Sequence, residues 1–439
     1  MPSSNFHIAG DLPVPGDKSL SHRALMFAAA ARGESRLRGL LPGEDCQSTA
    51  AILRALGVSA PILPLNGSEI TVTSDGIDAW TAPTTVLDCG NSGTTARLMM
   101  GLLAGRPFCS TLTGDDSLRS RPMRRITDPL SRMGARVTEL EKPDRLPLEL
   151  CGGDLTGIDY RSPKGSAQIK SAVLLAGLSA RVDVSVWEPI RSRDHSERIL
   201  AALGVDITEA EEAGGWRVRS RAPSGDIPPL EMTVPGDPSS AAFLIALASL
   251  ASSGEIRIRS VGVNPTRTGF ISALRRMGGH VTLENERVSG GEPIADIVAR
   301  PGDLRGISVG AAEVPAMIDE IPILACLAAR AAGETRITGA EELRAKESDR
   351  ITAIVSNLRT LGADAEELPD GLLVRGGDEP LEGTVAALHD HRIAMAFGVL
   401  GAIPGNRIAI DTPGVVDVSY PGFWETLDEL TATPAAPGT

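Results

Sequence analysis

The sequence is poor in aromatic side chains and has no excess of positive charge. Aromatic residues make up 3% of its 439 residues, and 43 lysines and arginines stand against 56 aspartates and glutamates, for a formal net charge of −13. Surfaces that bind nucleic acid or anionic lipid need the opposite charge, and single strands are commonly bound by stacking on aromatic rings. We therefore expect neither a nucleic-acid partner nor a membrane partner.

Long hydrophobic runs and paired cysteine motifs are also missing. The first ten residues lack a basic segment followed by an apolar one, and the apolar stretches elsewhere are broken by glycine or polar residues, which predicts a cytoplasmic protein. The five cysteines are scattered without a CxxC pair or a histidine partner, so we expect no metal site and reduced, mostly buried thiols. They are Cys46, Cys89, Cys109, Cys151 and Cys326.

A short phrase recurs five times along the chain, as in ILRALGV (52–58) and LRRMGGHV (274–281). Each copy reads as an amphipathic helix that stops at a glycine and is followed by an alternating strand. The glycines are Gly57, Gly134, Gly204, Gly278 and Gly362. The repeat predicts an α/β protein built from small modules.

A second series of helices alternates with the first and is apolar nearly all round, which predicts that these helices are buried. Each begins with polar residues that can cap the helix or bind a ligand. The predicted helices cover 19–31, 93–105, 166–178, 238–250, 319–332 and 390–402. We expect the chemistry to be concentrated at their starts.

A near-duplicate marks the division into domains: VPGDKSLSH (14–22) and VPGDPSSAA (234–242). Each places a Pro-Gly turn before a buried helix. If the chain crosses at both turns, residues 17–235 form one lobe and residues 1–16 plus 236–439 form the other. The two crossovers would then act as adjacent hinges that close the lobes on a ligand. Residues 433–439 are small and Pro-rich and are predicted to be a disordered tail.

Basic and acidic residues collect at the helix starts in both halves. Lys18, Ser19 and Arg23 suit an anion at a helix N-terminus, although an ordinary capped helix explains them about as well. An arginine such as Arg121 could grip a carboxylate if its side chain points inward. Asp319, before an apolar helix, could be a general base, but without further context the pattern favours an N-cap.

The segment ELRAKESDR (342–350) is the densest charged site and brings an acid/base pair and an anion-binding arginine within about one helical turn. A surface ladder of ion pairs would have a similar composition. His391 and Arg392 open the apolar helix that follows, where a merely solvated arginine is less expected.

Taken together, these motifs resemble the 5-enolpyruvylshikimate-3-phosphate synthase family over essentially the whole chain. The resemblance rests on PGDKSLSHR, GNSGTTARL, SLRSRPM, SAQIKS, NPTRTG, MIDEIP, ELRAKESDR and DHRIAM. It implies a two-lobed enolpyruvyl transferase fold, an inside-out α/β barrel with three βαβαββ modules per lobe and the ligands in the cleft. It also implies transfer of the enolpyruvyl group of phosphoenolpyruvate to the 5-hydroxyl of shikimate 3-phosphate, without metal or organic cofactor.

The resemblance also implies residue roles. The residues implied for shikimate 3-phosphate are Lys18, Ser19, Arg23, Ser166, Gln168, Arg193, Asp319 and Lys346. Those implied for phosphoenolpyruvate are Lys18, Gly93, Arg121, Gln168, Arg350 and Arg392, with Lys346 nearby. Asp319 would take the proton of the 5-hydroxyl, and Lys346 or Glu347 would transfer the proton at the methylene carbon. Lys18 would touch both substrates.

Many members of the better-known form of the family have a lysine at the position where this chain has Val418. Together with SRDHSER and SLRSRPM, this difference makes the chain resemble the second subgroup of the family. Tolerant members of that subgroup often have alanine at the position of Gly93, so we expect this enzyme to be sensitive to glyphosate. The sister transferase that acts on UDP-N-acetylglucosamine normally has a reactive cysteine in the stretch matching GDDSLRSRP (114–122), where this chain has none. A non-catalytic anion-binding protein could dispense with Asp319 and Glu347. The expected site needs no second chain, so a monomer is predicted.

Overall fold

The computed structural model describes residues 6–65 and 67–432, in which helices and strands alternate. The tail predicted for 433–439 lies outside the described residues. The helices are α1 (Lys18–Ala30), α2 (Glu44–Ala55), α3 (Gly93–Ala104), α4 (Asp116–Arg119), α5 (Arg124–Met133), α6 (Ala167–Ala180), α7 (His195–Ala202), α8 (Pro238–Leu250), α9 (Gly269–Met277), α10 (Ile321–Ala328), α11 (Arg350–Thr360), α12 (His391–Gly401) and α13 (Phe423–Thr431).

Most strands pair with a strand that is next or next but one along the chain. The strands are β1 (His7–Pro13), β2 (Arg32–Arg38), β3 (Ile70–Asp75), β4 (Leu87–Asp88), β5 (Cys109–Thr113), β6 (Arg136–Glu139), β7 (Leu148–Cys151), β8 (Ile158–Arg161), β9 (Val184–Glu188), β10 (Ile207–Glu212), β11 (Gly215–Ser220), β12 (Glu231–Thr233), β13 (Ser253–Gly262), β14 (His280–Ser289), β15 (Glu292–Arg300), β16 (Ser308–Val309), β17 (Glu334–Ile337), β18 (Asp364–Leu368), β19 (Gly371–Arg375), β20 (Glu382–Val385) and β21 (Arg407–Ile410). Among the described residues, only β1 and β12 pair with strands distant in sequence.

The chain divides into two compact units, each with its own hydrophobic core. The N-terminal unit comprises Gly16–Pro235 and Val288–Glu292, and the C-terminal unit comprises Met1–Pro15, Gly236–Arg287 and Pro293–Thr439. Two of the changes of unit fall within the two VPGD turns. The other two changes of unit enclose Val288–Glu292, which is the tip of the β14–β15 hairpin.

Each unit holds three sheets among its described residues. The N-terminal unit has the strand orders β12-β2-β3, β4-β5-β7-β6 and β10-β11-β9-β8, and the C-terminal unit has β1-β13-β15-β14, β16-β17-β19-β18 and β20-β21. Strands β1 and β12 pair in parallel with β13 and β2 respectively. Strand β1 completes a sheet whose other strands lie in the other half of the sequence, whereas β12 and its partner β2 both belong to the stretch between the two VPGD turns.

The helices predicted to be apolar all round form the two cores. Helices α1, α3 and α6 lie in the core of the N-terminal unit, and α8, α10 and α12 lie in that of the C-terminal unit. Their bounds agree with the prediction except for 319–332, where α10 covers only Ile321–Ala328. Its residue Pro322 lies in the first turn. A proline fits there because the first turn needs no N–H donor.

The five recurrent glycines all end helices in the way predicted. Their φ angles are positive, from 83° at Gly204 to 122° at Gly134, a region that glycine enters without steric cost. Each releases the chain from its helix into the next strand or extended segment, so the repeated phrase is confirmed as a helix-to-strand joint.

The prediction of five reduced cysteines is wrong for two of them. Cys109 in β5 lies directly opposite Cys151 in the antiparallel strand β7, and the two form a disulfide. This strand register joins residues 42 positions apart, so their spacing in the sequence gave no sign of it. The other three cysteines are buried thiols, as predicted. No helix among the described residues has both the length and the apolar character required to cross a membrane.

Candidate active site

The start of α1 carries the first group of predicted site residues. Asp17 caps the helix by accepting a hydrogen bond from the Leu20 amide at 2.8 Å. Lys18 follows, and its Nζ lies 2.6 Å from Oδ2 of Asp45. The cap that an ordinary helix needs is thus supplied by Asp17, and Lys18 pairs with an acid of α2.

Arg23 lies one turn further along α1 and is 3% exposed. Its Nε donates to Oγ of Ser196 at 2.9 Å, and its Nη2 donates to Oγ of Ser171 at 2.9 Å. Burial lowers the pKa of Arg23 to about 10, an effect that Glu197 and Asp17 oppose and that the like charge of nearby Arg193 reinforces. The two serine hydroxyls orient a buried guanidinium, a group that binds carboxylates and phosphates through charge-assisted hydrogen bonds.

The start of α3 brings Gly93 beside two arginines. Ser92 caps this helix through the Thr95 amide at 3.0 Å. A methyl group on Gly93 would lie 2.8 Å from Nη1 of Arg97 and 3.5 Å from Nη1 of Arg121. Arg121 is buried, and its Nη2 donates to Oδ1 of Asn91 at 2.8 Å. The helix start is therefore a small cationic surface. A ligand can come close to its two arginines only because residue 93 is a glycine.

The start of α6 joins this surface. Ser166 is its N-cap, as the sequence allowed. In the first turn of this helix, Oε1 of Gln168 accepts hydrogen bonds from Arg97 at 2.9 Å and from Arg125 at 3.0 Å. We call the predicted residues of this unit the N-terminal cluster. It consists of Lys18, Ser19, Arg23, Gly93, Arg121, Ser166, Gln168 and Arg193.

Asp319 lies in the C-terminal unit, and the N-cap explanation for it is wrong. It occupies a 3-10 turn, Ile318–Glu320, and the N-cap position of α10 is taken by Glu320 and not by Asp319. Its Oδ1 lies 3.3 Å from Nη1 of Arg350, 3.7 Å from Nζ of Lys346 and 3.9 Å from Nε of Arg392. Three cations around one carboxylate favour its negatively charged form, which is the form that accepts a proton.

Arg350 is the centre of the same group and is 1% exposed. It donates to Asp390 through Nε at 2.7 Å and to Glu347 through Nη2 at 2.6 Å. Burial acts to lower the pKa of Arg350, but Asp390, Glu347 and Asp319 outweigh it and raise that pKa. A surface ladder of ion pairs therefore does not describe this arginine. We call the predicted residues of this unit the C-terminal cluster, and they are Asp319, Lys346, Glu347, Arg350 and Arg392.

Several partners of these clusters did not stand out in the sequence. Asp45 and Arg97 lie in α2 and α3 among residues typical of any amphipathic or buried helix. Asp390 could have been found, because an aspartate before an apolar helix is an N-cap signal and its Oδ1 does accept from the Arg392 amide at 3.0 Å. Val418 is half-buried in a 3-10 turn, Pro413–Val418, and brings no charge to either cluster.

Comparison with known proteins gives one consistent result. The family model described as EPSP synthase (3-phosphoshikimate 1-carboxyvinyltransferase) matches residues 4–427. The chain is 49% identical over 426 residues to the 3-phosphoshikimate 1-carboxyvinyltransferase of Gloeobacter violaceus, covering 96% of each protein. It is 47% identical over 425 residues to that of Desulfitobacterium hafniense, covering 96% of this chain and 95% of the relative. The chain belongs to the EPSP synthase family.

Solved structures of the family agree with the fold. The EPSP synthase from Acinetobacter baumannii matches with a TM-score of 0.84 at 41% identity, covering 98% of this chain and 97% of that one. The enolpyruvyl transferase NikO from Streptomyces tendae matches with a TM-score of 0.77 at 21% identity, a likeness of fold alone. The predicted α/β enolpyruvyl transferase fold is confirmed, and family membership favours EPSP synthase over the sister transferase.

Proposed function

We propose that this member of the EPSP synthase family transfers the enolpyruvyl group of phosphoenolpyruvate to the 5-hydroxyl of shikimate 3-phosphate, a step of the shikimate pathway to aromatic amino acids. The observation that carries the proposal is the setting of Asp319, a carboxylate within 4 Å of Lys346, Arg350 and Arg392. A base surrounded by cations suits a reaction in which an alcohol attacks an anionic substrate.

The reaction proceeds by addition and elimination. A proton is added to the methylene carbon of phosphoenolpyruvate, the 5-oxygen bonds to the neighbouring carbon, and the hydroxyl proton passes to a base. The tetrahedral adduct then loses phosphate by cleavage of its carbon–oxygen bond, and the methyl group returns one proton to give the new enol ether. Each well-placed proton transfer contributes roughly 10²–10⁴-fold.

Most residues of the N-terminal cluster, together with two of the C-terminal cluster, are proposed to hold shikimate 3-phosphate. Arg23 is buried, and the hydroxyls of Ser196 and Ser171 orient its guanidinium, which supports a role in binding an anion. Ser166 is the N-cap of α6 and lies at a helix N-terminus, where the partial positive charge favours anions. The N-terminal cluster thus offers both full charges and polar groups to a phosphorylated carboxylate. The residues proposed for this substrate are Lys18, Ser19, Arg23, Ser166, Gln168, Arg193, Asp319 and Lys346.

Residues of both clusters are proposed to bind phosphoenolpyruvate. Arg121 lies beside Gly93, so the lack of a side chain there gives an anion close access to the guanidinium. Arg350 and Arg392 are both within 4 Å of Asp319, and would bring the anionic substrate next to the base. The residues proposed for this substrate are Lys18, Gly93, Arg121, Gln168, Arg350 and Arg392.

Asp319 is proposed as the base for the 5-hydroxyl. Two residues are candidates for the proton transfer at the methylene carbon. Lys346 lies 3.7 Å from Asp319, and Glu347 pairs with Arg350 at 2.6 Å. The two are neighbours in the chain, and either could exchange a proton with a substrate bound by Arg350. No step of this scheme calls for a metal or an organic cofactor.

We also propose that the protein acts as a cytoplasmic monomer without a nucleic-acid partner. The proposed chemistry draws every group from a single chain, and the net charge of −13 disfavours nucleic acid. Size-exclusion chromatography with light scattering should give a mass near 45.8 kDa. A dimer mass at assay concentration would contradict this part of the proposal.

The Asp319→Asn variant tests the proposed base. Asparagine keeps the shape of the side chain but cannot accept the proton, so kcat should fall by roughly 10²–10⁴-fold. Turnover is followed as phosphate released from phosphoenolpyruvate in the presence of shikimate 3-phosphate. Asp296→Asn is a matched control, because Asp296 belongs to the same unit and its side chain is 14% exposed against 13% for Asp319. Full activity in Asp319→Asn would reject the role, and no release by the unmodified chain would reject the function.

A further inference from the structure

A buried carboxylate at the end of β9 fastens two segments that carry proposed shikimate 3-phosphate residues. Glu188 is fully buried, and its oxygens accept from the main-chain N–H of Ser192 at 2.7 Å and from that of Ser166 at 3.3 Å. The Ser192 hydroxyl donates to the same carboxylate at 2.7 Å. Ser166 is the N-cap of α6, and Ser192 directly precedes Arg193.

Lys170 extends this connection to a third segment. Its Nζ lies 2.9 Å from Glu188 and 2.7 Å from Glu197 in α7, and it also donates to the Ser192 carbonyl at 3.3 Å. Burial acts against the charge of Lys170, but the two glutamates prevail and raise its pKa. Next to Glu197, Ser196 holds the guanidinium of Arg23 at 2.9 Å. The start of α6, the loop before α7 and the first turn of α7 are therefore tied to one ionic group.

A buried ionic group of this kind is weak evidence for stability, because removing its charges from water costs about as much as their attraction returns. Its value lies in fixing geometry, since each oxygen of Glu188 is engaged by donors from two different segments. Fixed geometry matters most where small displacements of binding groups weaken a charge-assisted contact.

We propose that Glu188 and Lys170 are positioning residues for shikimate 3-phosphate, which set the spacing of Ser166, Arg193 and Arg23 without touching the ligand. The inference rests on the proposed function for the identity of the ligand. It assigns a smaller role toward phosphoenolpyruvate, because Gln168 shares the start of α6 but no hydrogen bond or ion pair described for Glu188 or Lys170 involves Gly93, Arg121, Arg350 or Arg392.

The test compares Glu188→Gln and Ser192→Ala with the unmodified chain. Glutamine removes the charge that Lys170 requires, and alanine removes one donor while keeping the ion pair. Both variants should weaken shikimate 3-phosphate binding measured by calorimetry, by tenfold or more for Glu188→Gln and by less for Ser192→Ala. The KM for phosphoenolpyruvate should stay within about twofold. Ser179→Ala is the control. Ser179, in α6, is buried like Glu188 and Ser192, but its hydroxyl bonds Arg106 and the Leu102 carbonyl instead.

The outcomes separate this inference from the proposed function. Equal losses toward both substrates, or the same loss in Ser179→Ala, would mean a merely structural role and overturn the inference. Unchanged shikimate 3-phosphate binding in Ser192→Ala would do so as well, even if Glu188→Gln failed to fold. An unmodified chain that binds shikimate 3-phosphate but releases no phosphate would overturn the proposed function alone, whereas one that does not bind it would overturn both.

Discussion

At the scale of single residues, the site depends on arginines that are buried yet held charged by carboxylates. Arg350 is the clearest case, because Asp390, Glu347 and Asp319 all lie within 3.3 Å of its guanidinium. Three carboxylates around one guanidinium give this group of residues a net negative charge. Such a group can bind an anion only together with further cations, and Lys346 and Arg392 stand next to it.

Asp390 should make stability depend on acid. Burial acts to raise the pKa of its carboxyl, but Arg350 outweighs burial and holds that pKa below the ordinary value. The pairing therefore contributes stability above about pH 4, the value for an unfolded aspartate, and the contribution is lost as pH falls through the folded pKa.

Asp390→Asn should thus cost about 3–5 kcal/mol at pH 7, since it leaves a buried charge short of its partner. The difference from the unmodified chain should shrink below about pH 4. Urea unfolding at a series of pH values measures it, with the exposed Asp364→Asn as control. A difference that stays constant down to pH 3 would contradict the assigned pairing.

Gly93 bears on inhibitor sensitivity. Glyphosate should inhibit the unmodified chain, because nothing at Gly93 crowds the cationic surface. In Gly93→Ala the new methyl would lie 2.8 Å from Nη1 of Arg97, so the arginine must move. The glyphosate concentration for half inhibition should rise at least tenfold, about 1.4 kcal/mol, with a smaller rise in the KM for phosphoenolpyruvate.

Steady-state inhibition assays measure this effect. Gly225→Ala is a suitable control, because a methyl group there meets nothing within 4 Å and the residue belongs to the same unit. Turnover of the unmodified chain that is unaffected at inhibitor levels far above the KM for phosphoenolpyruvate would refute the expectation.

At the scale of secondary-structure elements, the starts of the buried helices are where most of the proposed ligand contacts lie. The sequence located these starts well, because the helices are apolar all round and each is preceded by polar residues. It did not show which polar residue caps a helix and which is left for a ligand. Asp17 caps α1, whereas Asp319 lies one residue before the N-cap position of α10, although both precede apolar segments. That distinction depends on backbone geometry within one turn, which composition does not encode.

A hydrogen-bonded chain of side chains joins three helices of the N-terminal unit. His22 in α1 bonds Thr49 in α2 at 2.7 Å, and Thr49 bonds Thr95 in α3 at 2.7 Å. Thr95 reaches Ser92, the cap before Gly93, at 2.8 Å. Burial lowers the pKa of His22 to about 3, with Lys18 and Arg23 adding to the effect and Asp45 opposing it.

The neutral His22 should make the protein less stable in mild acid. Below pH 6.5 the unfolded chain binds a proton at this residue and the folded chain does not, so stability falls as pH decreases toward 3. Between pH 6.5 and 5 the loss from this residue should be roughly 1–2 kcal/mol. Thermal unfolding of His22→Gln should show a flatter pH dependence, and the exposed His280→Gln should not. Parallel profiles for the unmodified chain and His22→Gln would disprove it.

At the scale of the whole molecule, the repeat of helix-to-strand joints predicted a modular α/β chain, and the joints and the α/β fold are confirmed. The pairing of β1 with β13, a strand of the other half of the sequence, could be expected only from the duplicated VPGD turns. Strand register was beyond the sequence, and for that reason the Cys109–Cys151 disulfide was missed. Long-range ion pairs such as Lys170 with Glu188 were missed for the same reason.

The central claim is that one pair of acidic substrates is bound by residues of both clusters. A crystal structure with shikimate 3-phosphate and a non-reacting analogue of phosphoenolpyruvate tests it most directly. We predict Arg23 and Arg193 within hydrogen-bonding distance of shikimate 3-phosphate, Arg350 and Arg392 on the analogue, and Asp319 within reach of the 5-hydroxyl. Ligands held by residues of one unit alone, with Asp319 remote from the 5-hydroxyl, would contradict the claim.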